Sequence, residues 1–91
     1  MENAVSVPPV PSCPCGVYRH YKGNYYLVLG LARHSETDEM MVVYVRLYSR
    51  DGVPMSVRPL DHFLSPATVN GSSVVRFQFI GQQQQGSGAP D

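Results

Sequence analysis

The sequence predicts a small, mainly β domain: a curled antiparallel sheet or SH3-like barrel of five or six short strands with one short helical turn. Three observations lead there. β-branched and aromatic residues recur in short runs with an inside-outside alternation. Gly, Asn and Asp cluster between those runs. Only one stretch spaces its apolar residues like a helix. At 91 residues the chain has room for one such domain.

The first predicted strand, Gly16 to Tyr21, is short and aromatic, and Lys22-Gly23-Asn24 turns the chain after it. Tyr25 to Arg33 is long and apolar. Ser35 to Asp38 forms a polar hairpin loop in which Ser35 caps backbone groups. Met40 to Tyr48 is β-branched and aromatic, and Arg50-Asp51-Gly52 is the next turn. Val53 to Arg58 alternates, with Val53, Met55 and Val57 on one side. Leu60, Phe63 and Leu64 fall at helical spacing, so Pro59 to Leu64 reads as the helical turn, stopped by Ser65-Pro66. Asn70-Gly71 is a hairpin turn, because both residues tolerate positive φ. Ser73 to Ile80 alternates as a last strand, with Val75, Phe77 and Phe79 inward.

Composition divides the chain into three parts. Residues 1–14 are Pro-rich and residues 82–91 are rich in Gln and Gly. Both are expected to be disordered tails around a single domain at 15–81. The formal net charge is zero. All seven Lys and Arg lie between Arg19 and Arg76 with five acids, which gives the interior a charge of +2. That is too mild for tight non-specific nucleic-acid binding. Six of the seven cations are Arg, a side chain suited to carboxylate or phosphate. No apolar run is long enough to span a bilayer, and the first residues lack the pattern of a secretory signal. A cytoplasmic monomer without membrane contact is the expectation. Cys13 and Cys15 are too close for an unstrained disulfide and too few for a zinc site. No metal or cofactor is therefore expected.

Parity sorts the strand residues into faces. Leu27, Leu29 and Leu31, with Met41, Val43, Val45 and Leu47, are the best core candidates. They share a face if the hairpin pairs odd with odd residues. The even residues then form a second face: Tyr26, Val28, Gly30, Ala32 and His34 beside Met40, Val42, Tyr44, Arg46 and Tyr48. Gly30 leaves a notch there or marks a bend. Tyr18 and His20 extend this aromatic-basic groove if the first strand packs alongside. Arg33 points the other way, toward Glu39. The candidate ligand-binding residues are Tyr18, Arg19, His20, Tyr26, His34, Tyr44, Arg46 and Arg58.

The stretch "GVYRHYKGNYYLVLGLARHSETDEMMVVYVRLY", with "VRPLDHFL" and "RFQFIG" after it, resembles domain-of-unknown-function family 1653 over about residues 15–81. The likeness rests on Gly16, Tyr18, Arg19, His20, Lys22, Gly23, Ala32 to Thr37, Val43-Tyr44, Arg58-Pro59, Phe63 and Arg76-Phe77. It implies one compact domain whose pattern includes Arg19, His20, Arg33, His34, Tyr44 and Arg58. It brings no catalytic residues.

No Gly-rich phosphate loop or nucleophile elbow is present. The expected function is a non-catalytic binding module whose Arg, His and Tyr residues hold an anionic or planar ligand: RNA, a nucleotide or a peptide carboxylate. One alternative is an adaptor that pairs with a protein through a sheet edge. Another is a small enzyme with His20 or His34 as acid-base group. It ranks lower, because so small a domain offers little room for a water-excluded pocket.

Overall fold

The structure is a computed structural model that describes residues 13–82. The expectations for residues 1–12 and 83–91 lie outside the described residues. The chain forms β1 (Gly16–His20), β2 (Tyr25–Arg33), β3 (Met40–Arg46) and β4 (Met55–Pro59), then α1 (Leu60–Leu64), β5 (Ala67–Val69), β6 (Ser72–Val74) and β7 (Phe77–Gly81). Five strands make one sheet in the order β4-β3-β2-β1-β7, and β5 and β6 pair separately. Neighbouring strands are antiparallel throughout. β4 and β7 are the two edges and do not pair, so the sheet is open. The curled-sheet alternative is the one observed, and the SH3-like barrel is not.

The route from β4 to β7 runs from one edge to the other. It carries α1, whose Leu60 and Phe63 are buried in the core with the inner-face residues of the sheet. That crossing decides which face becomes the core. The cluster comprises Tyr18, Val28, Val42, Tyr44, Leu60, Phe63 and Phe77. Phe63 stacks on Phe77 with ring centroids 4.2 Å apart and meets the Tyr18 ring edge-on at 5.3 Å. α1 has only five residues and no side-chain N-cap bond, so its stability comes from these contacts.

The expected core is thereby overturned. Three even residues at the middle of β2 and β3 are inside: Val28 is 1% exposed, Val42 0% and Tyr44 6%. Among the odd residues, Leu29, Leu31 and Leu47 are exposed and Leu27, Val43 and Val45 are half-buried; only Met41 is buried. Odd does pair with odd at Leu27 and Val45, as expected, but a bulge between Val28 and Gly30 then shifts the register. Beyond it Gly30 faces Val43 and Leu31 faces Val42. The bulge changes the facing of β2 beyond Val28 and leaves the alternation of β3 intact.

Other differences are local. The last predicted strand is two, β6 and β7, separated at Val75-Arg76, and Val75 is exposed. β5 was not anticipated. Asn70 and Gly71 do form the hairpin turn between β5 and β6, with φ of 50° and 79°. Gly16 allows a close approach: a Cβ there would lie 2.6 Å from the carbonyl oxygen of Gly81. Arg33 pairs with Asp38 at 2.8 Å rather than with Glu39. No helix among the described residues is long and apolar enough to cross a membrane.

Candidate anion-binding site

Antiparallel register places Tyr18 beside Tyr26, Val28 beside Tyr44, and Val42 beside Arg58. Arg46 pairs with Tyr26, and His20 with Phe77. Tyr18, His20, Tyr26, Tyr44, Arg46 and Arg58 therefore share the inner face, as the parity argument expected of most of them. This face is the core, however, and not an open groove. The Tyr18 and Tyr44 rings are buried and offer no stacking platform. The Tyr18 hydroxyl donates to the Pro14 carbonyl at 2.8 Å, and burial raises its pKa above the ordinary tyrosine value.

Two further candidates are engaged in turns. Arg46 Nη1 donates to the Val53 carbonyl, and its Nη2 donates to the carbonyls of Gly52 and Arg50. It fastens the loop before β4. His34 Nδ1 accepts the backbone N–H groups of Glu36 at 3.1 Å and Thr37 at 3.4 Å, which closes the β2–β3 turn. His20 does the same one hairpin earlier, where its Nδ1 accepts the Lys22 N–H at 3.1 Å. The two Arg-His pairs are thus similar at the backbone: His20 is the last residue of β1, His34 follows β2 directly, and each accepts N–H groups of the turn after it. Arg19 is exposed on the opposite face and lines a cleft of about 390 Å³ with Tyr21, Val69, Val74 and Gln78.

What separates the histidines is their surroundings. The His20 ring lies 4.8 Å from Phe77, 4.5 Å from Tyr21 and 6.2 Å from Tyr26. Arg58 also caps Phe77, with its guanidinium carbon 5.2 Å from the ring centroid. Its Nε donates to the Tyr44 hydroxyl at 3.1 Å, and its Nη1 donates to His62 Nδ1 at 3.0 Å. Arginine can only donate, so His62 carries its proton on Nε2. Arg76 enters beside them, with Nε on the Ser65 carbonyl and Nη2 on the Pro66 carbonyl.

Arg58, His62, His20 and Arg76 form one positive patch at the rim of the core. Burial holds the His20 pKa below the ordinary imidazole value, and Arg58, Lys22 and Arg76 push it the same way. The His62 pKa is lowered as well, first by desolvation and then by Arg76 and Arg58. No described carboxylate forms an ion pair with the patch; among the described residues the ion pair is Arg33–Asp38. The hydroxyls of Tyr26 and Tyr48 bond at 2.9 Å along its margin. Burial and that bond raise the Tyr26 pKa to about 12, whereas the same bond lowers that of Tyr48.

Among the described residues no three His, Cys, Asp or Glu side chains gather as metal ligands. His62 and Arg76 were absent from the candidate residues. The sequence signal was the approach of Arg58 and His62 across Pro59, where a strand passes directly into a helical turn.

Comparison with known proteins agrees with this architecture. The family model described as "Protein of unknown function (DUF1653)" matches residues 16–79. The crystal structure of a DUF1653 protein from Bordetella bronchiseptica is similar, with 48% identity and a TM-score of 0.74. The alignment covers 80% of this chain and 94% of that one. A search of the curated proteins finds no match. The chain belongs to the DUF1653 family, and the whole basic patch lies within the residues matched to it.

Proposed function

We propose that this domain is a non-catalytic binding module that holds an anionic group on the patch formed by Arg58, His62, His20 and Arg76. The observation that carries the reading is Arg58. Its guanidinium is set over Phe77 and Tyr44, fixed by a hydroxyl and an imidazole, and has no carboxylate partner among the described residues. Such a cation is already ordered and partly desolvated, so an incoming anion need not organise it. The acceptor atoms beside it are already engaged. His20 Nδ1, His62 Nδ1 and the Tyr44 oxygen each receive a bond from the protein. The patch has donors left to offer, and donors select an anion.

This favours the anionic part of the expected ligand over the planar part, because two of the anticipated stacking rings are buried. The test is a nuclear magnetic resonance titration of the full chain with acetate, methyl phosphate and dimethyl phosphate at constant ionic strength. At least one anion should give saturable shifts centred on His20, Arg58 and His62, and Arg58→Gln should remove them. If none of the three saturates, or the shifts lie elsewhere, the reading fails.

A further inference from the structure

We infer that the cleft beside Arg19 is a second, separate site, which takes a small monocarboxylic acid with a short, branched apolar body. It shares no residue with the patch of the proposed function. Its two walls differ in chemistry. One is the outer side of β1 and β7, where the register sets Arg19 directly opposite Gln78. Side chains paired in this way start about 4.5–5.5 Å apart, so the two meet at one place. The other wall is the β5–β6 hairpin. Ala67 pairs with Val74 and Val69 with Ser72, and alternation puts Val69 and Val74 on one face of that hairpin. Val75 and Tyr21 complete the lining of a cleft of about 390 Å³, within the range of small-molecule sites.

Arg19 selects the charged end of the ligand. Among the described residues it makes no ion pair and no side-chain hydrogen bond, unlike Arg33, Arg46, Arg58 and Arg76. Its guanidinium therefore keeps the parallel N–H pair that a carboxylate accepts. It is the one cation of the lining, and no lining residue is acidic. One positive charge matches a monoanion. A phosphate monoester brings about 1.5 to 2 negative charges and would leave part of them unmatched.

The valine wall selects the rest. Val69 and Val75 are exposed, and a branched apolar chain laid against them removes apolar surface from water on both partners. The polar and apolar walls face one another across the cleft, so a ligand must carry both characters within a short length.

A nuclear magnetic resonance titration of the full chain with isovalerate at pH 7.5 tests the inference. Isovalerate should give saturable shifts of the Val69, Val74 and Val75 methyl groups and of the Gln78 side-chain amide. Isovaleramide has the shape without the charge, and acetate has the charge without the body; each should bind about tenfold more weakly or worse. Arg19→Gln, at an exposed position, should weaken isovalerate by a similar factor with the melting temperature unchanged, and Val75→Ser should weaken it severalfold. Arg58→Gln should leave it unaltered, so the failure of this site and the failure of the patch are distinguishable. Absence of saturable shifts, equal binding of isovaleramide, or unchanged affinity in Arg19→Gln would overturn the site. Isobutyl phosphate binding as tightly as isovalerate would overturn the carboxylate assignment.

Discussion

The two faces of the five-stranded sheet reverse what their residues suggest. The inner face carries tyrosines, a histidine and arginines, and it is the core. The outer face carries Val17, Leu27, Val43, Val45, Met55 and Val57. Met55 is 52% exposed and Val57 59%. Hydropathy alone would choose the second face. The chain chooses the first, because the connection between the two edge strands crosses that side and brings Leu60 and Phe63 down on it. Apolar character makes a face able to be buried, and topology determines which one is. The polar tips of the inner face are then driven to the rim, where the hydroxyl of Tyr44 meets Arg58. The candidate site results from a core built of aromatic rings with polar ends.

The largest effect should come from the residue that makes the inner face a core. Phe63→Ala removes a ring that stacks on Phe77 and touches Tyr18 and Tyr44, and should cost about 3–5 kcal/mol in denaturant unfolding. A loss below 1 kcal/mol would mean that α1 is not what closes the core.

A smaller effect follows from pH. The His20 pKa is lowered in the folded state, so the unfolded chain binds the proton more readily. Its contribution is fully present above an ordinary pKa of about 6.5, and stability should fall as pH drops from there through the lower folded value. Melting curves at pH 7.5 and 5.5 should show this fall, and His20→Gln should flatten it. An unchanged difference in that variant would assign the pH response to other groups.

The smallest effect belongs to a pair remote from both faces' centres. Arg33 and Asp38 are exposed at 64% and 78%, so Asp38→Asn should change stability by less than about 1 kcal/mol. A larger loss would show that this loop holds the β2–β3 hairpin together.

Much of this architecture is legible in the sequence, for reasons that are local. Tyr25 to Arg33 is predicted as a strand and observed as one with the same limits, and Leu60, Phe63 and Leu64 announce the helical turn. Asn70-Gly71 specifies its hairpin because both residues adopt positive φ. Parity correctly groups Tyr18, His20, Tyr26, Tyr44 and Arg46 on one face. It cannot say which face the chain will cross, since that depends on where β7 pairs, far along the sequence. The register shift after Val28 is equally silent, as a bulge at Leu29-Gly30 leaves the alternation of apolar residues unchanged. At the site, Arg58 and His20 were legible as basic residues near aromatic ones. The contribution of Arg76 was not, because it follows from a break between β6 and β7 that the alternating sequence conceals. Nor were the roles of His34 and Arg46, whose bonds go to backbone atoms in loops.

The comparison of faces is tested most directly by measuring unfolding free energies for Val42→Ala and Val57→Ala. Both remove the same two methyl groups from a strand, one at 0% exposure and the other at 59%. Val42→Ala should cost about 2 kcal/mol, and Val57→Ala less than about 0.5 kcal/mol. Equal losses, or the larger loss at Val57, would show that the outer face is packed in solution and would contradict the assignment of the core.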